Sequence, residues 1–144
     1  MSIDYIDGTQ IAKALSETYR VYLCGNLSSP QPELEWLHDE HIEIGISNYI
    51  EFTADKPHLH KIATEYNYVL KGESKVFFID ENKECIFKQG ALFVVSPNTR
   101  YASKHQADTQ ILFFKAPGGN DKQLVEITPL IQTWLETWDE FEAK

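Results

Sequence analysis

Cysteine is scarce. Cys24 and Cys85 are the only two in 144 residues and stand at no paired spacing, so no disulfide framework is expected. Positive charge is short as well: 13 Lys+Arg against 22 Asp+Glu leave a formal net charge of −9, the wrong sign for neutralising phosphates along a nucleic acid or an anionic bilayer. Long apolar runs are missing, since no stretch approaches the roughly 20 residues that a membrane-spanning helix needs. The opening MSIDYIDGTQ carries acids where a secretory peptide has a basic flank and an apolar run. These deficits point to a soluble cytoplasmic protein whose partner is a small molecule, with neither nucleic acid nor membrane.

What is present is apolar and aromatic content, at 42% and 12%. That suffices for one domain over 1–144 to bury roughly 70% of its unfolded surface. TQIAKALSETY, from Thr9 to Tyr19, spaces Ile11, Ala12, Leu15 and Tyr19 as a short helix with Thr9 as N-cap. VYLCG reads as a strand and NLSSPQPE as a loop. Ile42, Ile44, Ile46, Ile50 and Phe52 alternate with more polar residues, the period of a half-buried strand. From His58 to Lys115 the chain breaks into short runs of strand character separated by turn residues, with no helix between them. This predicts an all-β, antiparallel sandwich or barrel. After APGGND, Thr128 and Pro129 open a terminal helix predicted over about 128–142, with Leu130, Trp134, Trp138 and Phe141 on one face. That stripe is expected to pack on the outside of the barrel, the alternative being a dimer contact.

The chemistry concentrates around His58 and His60. On a strand, His-x-His puts two imidazoles on one face about 7 Å apart at the backbone, a geometry suited to one metal ion. Glu65 and Gly72 follow, so a turn can fold a carboxylate back beside the pair. Composition alone writes this spacing in on the order of one chain in a thousand. Asn67 shares Glu65's face, whereas Tyr66 and Tyr68 face the other way as packing residues. Arg100, one of two arginines, is a natural anchor for a substrate carboxylate, but alternation turns it outward. His38 and His41 belong to a solvated turn, and Gly118 and Gly119 to a simple turn. Neither cysteine has a neighbour that suggests nucleophilic chemistry.

This pattern resembles the cupins, whose first motif is G-x5-H-x-H-x3,4-E-x6-G. Here Phe52 replaces the leading glycine, and His58, His60, Glu65 and Gly72 follow, with Tyr68, Val69 and Leu70 matching the strand between the last two. The second motif, G-x5-P-x-G-x2-H-x3-N, aligns from Gly90 with Ser96 for proline, Asn98 for glycine, Tyr101 for histidine and His105 for asparagine. The resemblance spans roughly 42–116 and implies a jelly-roll β-barrel, a homodimer, and a divalent metal, iron, manganese, nickel or zinc, held by His58, His60 and Glu65. Tyr101 is a poorer ligand than imidazole, and His105 lies about 13 Å further along the same strand face. Both are therefore read as groups that move a proton. The function implied is a metal-dependent enzyme on a small polar metabolite, with oxygenation, isomerisation or epimerisation, and decarboxylation left open. The alternative is a noncatalytic binding or sensor module; a bare dimerisation scaffold is disfavoured by the polar residues retained in the barrel.

Overall fold

The computed structural model describes residues 3–139. Helix α1 (Gly8–Glu17) begins earlier than the sequence suggested because Asp7, not Thr9, takes the cap. The Asp7 carboxylate accepts from the Thr9 N–H, and the Gln10 side chain accepts from the Asp7 N–H, a reciprocal capping box. The helix turns Ala14 inward with Ile11 and Leu15 beside it, whereas Tyr19 lies past its end and is exposed.

Eleven strands follow among the described residues: β1 (Arg20–Gly25), β2 (Leu37–His38), β3 (Glu43–Tyr49), β4 (Thr53–His60), β5 (Thr64–Lys71), β6 (Glu73–Phe78), β7 (Lys83–Lys88), β8 (Leu92–Val95), β9 (Tyr101–His105), β10 (Thr109–Ala116) and β11 (Lys122–Leu124). They form a six-stranded sheet, β2-β1-β3-β10-β5-β8, facing a five-stranded sheet, β11-β4-β9-β6-β7. All pairings are antiparallel except β1 with β2. β1, β2 and β11 extend the sheets beyond 42–116. No helix among the described residues is long and apolar enough to cross a membrane.

Alternation decides which residues see the space between the sheets. On β3, Glu43, Ser47 and Tyr49 point into it, and Ile46 packs outward against Val21, Leu34 and Ala14. Gly45 takes an inward position because the Phe113 ring fills it: a Cβ there would lie 2.3 Å from Phe113 Cζ. The barrel interior is thus polar along part of its length, and much of the apolar packing lies on its outer faces. On the second sheet Phe77 and Ala102 form a floor for Ile131 and Trp134 of helix α2 (Pro129–Glu136). Thr128 caps α2 and Pro129 opens it as expected.

The terminal helix is shorter than the predicted 128–142. It ends at Glu136, where the buried Lys104 Nζ draws off the carbonyls of Trp134 and of the capping Thr137, both at 2.7 Å, and the buried Lys75 Nζ holds the chain just beyond through Trp138 O at 2.8 Å. The buried face is Ile131, Trp134 and Leu135, while Leu130 is 47% exposed. Phe141 lies outside the described residues.

Candidate functional site

β4 carries His58 and His60 into the barrel on one face. Their rings sit 5.2 Å apart and nearly perpendicular. Each Nδ1 is tied to an acceptor, His58 to Lys56 O and His60 to Asp121 Oδ1, both at 2.8 Å. A carbonyl or carboxylate oxygen can only accept, so both rings carry a proton on Nδ1 and direct Nε2 elsewhere. Asp121 is fixed in turn by the N–H groups of Ile62 and Ala63, at 3.0 and 2.8 Å. Burial raises its carboxyl, but those two N–H groups and His60 outweigh it and hold it at about 2.

The reverse turn after β4 brings Glu65 of β5 to His60, with Oε2 3.3 Å from Nε2. Contact with Glu65 raises the His60 pKa against the effect of burial, with Asp121 adding to it. The Glu65 carboxyl is pushed up by burial and pulled further down by His60. His58 is lowered, chiefly by burial, so it stands as a neutral imidazole. Tyr101, directly across the ladder from His58, packs its ring 4.6 Å from that imidazole. Burial, then the charges of Glu65 and Asp55, raise its phenol well above the usual range, so it is held as a protonated donor.

His105 belongs to a separate cluster further along β9, across from Thr53. Its Nε2 is 3.0 Å from Asp55 Oδ2, its Nδ1 is 2.8 Å from Ser74 Oγ, and Tyr49 stacks on it with centroids 3.9 Å apart. Serine, histidine and aspartate in a row suggest a nucleophilic triad, but Ser74 is fully buried and serves to orient the ring. Burial raises the Asp55 carboxyl, but the hydrogen bond and charge of His105, with Arg20 and Ser103, bring it down to about 2.

Both clusters line one cavity of about 280 Å³, together with Asn67, Arg20 and the Lys115–Glu43 ion pair (3.4 Å). Arg100 pairs with Asp80 on the outside, as alternation required. Tyr66 and Tyr68 face away from the cavity but are each 41% exposed, so they are only half packed. Asp55, Tyr49 and Arg20 are the cavity groups that spacing did not reveal, and Asp121, which holds His60 from behind, is a fourth residue it missed. Strict alternation would place Asp55 on the face opposite His58. A register shift in the β4–β9 ladder, where Asp55 pairs with Ser103 and His58 with Tyr101, fits three residues of β4 against two of β9 and brings both inside. Pro57, fully buried and without an N–H for the ladder, lies within that shift.

No family model and no curated protein sequence matches the chain. Solved structures do match. BH2720 from Bacillus halodurans superposes with a TM-score of 0.59 at 10% identity, over 81% of this chain and 83% of that one. KdgF from Halomonas aligns at TM-score 0.53 and 18% identity, over 60% and 77%. Pac13 from Streptomyces, a nucleoside dehydratase also solved with uridine, aligns at 0.53 and 16%, over 62% and 72%. A Klebsiella pneumoniae protein with a double-stranded β-helix domain gives the same score at 14% identity. The chain has a cupin fold.

Within this fold the donor set is right in kind for a divalent metal: two imidazoles with Nδ1 anchored by acceptors, and a buried carboxylate. Among the described residues, however, no three His, Cys, Asp or Glu side chains are drawn together closely enough to hold one ion. His60 and Glu65 are in contact, and His58 stands beside them.

Proposed function

We propose that this cupin is a metal-dependent enzyme acting on a small polar molecule, with His58, His60 and Glu65 as ligands of iron, manganese, nickel or zinc. The observation that carries the reading is the anchoring of both imidazoles through Nδ1, to Lys56 O and Asp121. It fixes on His58 the tautomer that metal binding through Nε2 requires, and on His60 it leaves Nε2 to exchange the proton shared with Glu65 for the ion. Such an ion supplies a Lewis acid for an oxygen of the bound molecule. Tyr101 holds a proton on its phenol oxygen at the wall beside His58 and donates it toward that molecule. Asn67 adds an amide from the facing sheet, and His105 positions Asp55 in the second cluster. Pac13's complex with uridine supports the ligand class, because there the same fold takes up a small polar molecule.

A noncatalytic binding module is the second reading. It is favoured by the His60–Glu65 contact, which satisfies both groups without a third donor. We also propose a cytoplasmic homodimer: both cysteines are free, and the outer face of the six-stranded sheet exposes Tyr66, Tyr68, Leu92 and Val94.

Elemental mass spectrometry on protein purified without a metal-affinity tag tests the metal. About one equivalent of a transition metal is expected, lost when His58→Ala and His60→Ala are combined. A wild type that is metal-free and takes up no added divalent ion would replace the enzyme with the binding module.

A further inference from the structure

Arg20 of β1, Tyr49 of β3 and Asp55 of β4 line the central cavity and also a shallower depression bounded by Tyr19, Glu51 and Thr53. They form a shared wall, and Arg20 is reachable by solvent there. Its Nε donates to Ser47 Oγ at 3.2 Å, and its guanidinium carbon lies 5.5 Å from the centroid of the Phe113 ring. A hydrogen bond and an aromatic face thus set the plane of the fork.

The neighbouring charges are matched. Lys115 pairs with Glu43 at 3.4 Å and approaches Asp121 at 3.7 Å, Glu65 meets His60 at 3.3 Å, and Asp55 meets His105 at 3.0 Å. Lys122 is an exposed side chain on the edge strand β11, beside His60. Among the described residues no carboxylate lies within 4.0 Å of the Arg20 guanidinium. Among the described residues it is the one cation held in place in this wall without a direct ion pair, its charge acting on the Asp55 carboxylate from beyond that distance.

We infer that Arg20 binds the carboxylate of a small hydroxy acid, the hydroxyl groups of which are taken up by Tyr49 and Asp55. This names the ligand class of the cavity and rests on the proposed function for what happens to that ligand. A guanidinium fork grips a carboxylate through two parallel N–H bonds. Tyr49 is buried with its phenol pushed up, and its hydroxyl donates to Asp55 Oδ2 at 3.4 Å, which leaves the phenol oxygen to accept from a ligand hydroxyl. Asp55 receives Tyr49, Ser103 and His105 through Oδ2, leaving Oδ1 for a ligand hydroxyl. Because Asp55 stays ionised close by and no second fixed cation assists, a singly charged carboxylate suits this wall and a doubly charged phosphate does not.

The test is titration calorimetry of the full chain in EDTA, so that no ion takes part. Glycolate and D-gluconate are compared with their uncharged amides and with inorganic phosphate. At least one acid is expected to bind tenfold or more tighter than its amide, with phosphate weaker than that acid. Arg20→Gln is expected to bring acid and amide level, and Arg20→Lys to recover part of the difference. Equal affinity of acid and amide for the wild type, binding of neither acid, stronger binding of phosphate, or an unchanged preference in Arg20→Gln would each overturn the assignment. The acid-to-amide comparison needs no variant and so survives a folding failure. Metal content measured in parallel separates the two readings: an Arg20-dependent acid preference in a protein that binds no metal leaves this inference standing and removes only the metal.

Discussion

At the scale of single residues, Asp55 is where sequence and structure part most instructively. The His58–His60 spacing was legible because a regular strand makes one face of every second residue. Asp55 was hidden by the register shift before His58, which no composition or spacing rule announces. Its placement has a measurable consequence. His105 and Ser103 from β9, with Arg20 and Tyr49 from β1 and β3, surround the carboxylate, and its pKa falls from 3.8 to about 2. A depressed carboxyl contributes stability that is fully present above its unfolded pKa and is lost as pH falls through the folded one. Asp55→Asn should therefore cost on the order of 1–2 kcal/mol at pH 7, discounted for a side chain one-third exposed. The gap to wild type should close between pH 4 and 2. Urea unfolding of both proteins across that range is the measurement, and a pH-independent gap would assign the cost to packing instead.

At the scale of elements, the longer strands and the start of α2 were readable, while β2 and β11 were not. Those two have two and three residues, too few for any period to show, and they exist because a neighbouring strand offers an open edge. The end of α2 was misjudged for a different reason. Trp138 continues the helical spacing in sequence, but Lys104, on the outward face of β9, sits beneath α2 and takes the carbonyls that would carry the helix on. A lysine in RYASKH gives no sign of being fully buried, and its stem and ammonium lie against the Trp134 ring, 4.2 Å from the centroid. Lys104→Met should keep the packing volume and remove both hydrogen bonds, costing about 1–3 kcal/mol. Amide exchange over 129–136 should quicken while exchange in β4, β5 and β10 stays as it was. Unchanged exchange in α2 would mean that Trp134 and Ile131 dock the helix without help from the lysine.

At the scale of the whole molecule, the architecture is a polar-lined barrel covered outside by apolar contacts. α1 with the loop carrying Leu34 covers one part of the six-stranded sheet, and α2 covers the five-stranded sheet. The antiparallel barrel could be expected from short strands and turns, but which faces remain open could not, because that depends on where the helices land. The open stretch lies on β5 and β8, where Tyr66 pairs with Val94 and Tyr68 with Leu92, four apolar side chains between 41% and 62% exposed on adjacent strands. If a second copy covers this face, association is driven by apolar burial against the mutual repulsion of chains of net charge −9. Salt screens the repulsion and leaves the burial intact, so the dimer should tighten between about 10 mM and 0.5 M sodium chloride. Combining Tyr68→Lys with Leu92→Lys adds charge at the centre of the contact and should yield a monomer by sedimentation equilibrium at every ionic strength. Both substituted side chains start at least 41% exposed, so the barrel itself should melt within a few degrees of wild type. A monomeric wild type would remove the dimer, and a dimer indifferent to the double substitution would place the subunit contact elsewhere; either result leaves this face to another partner.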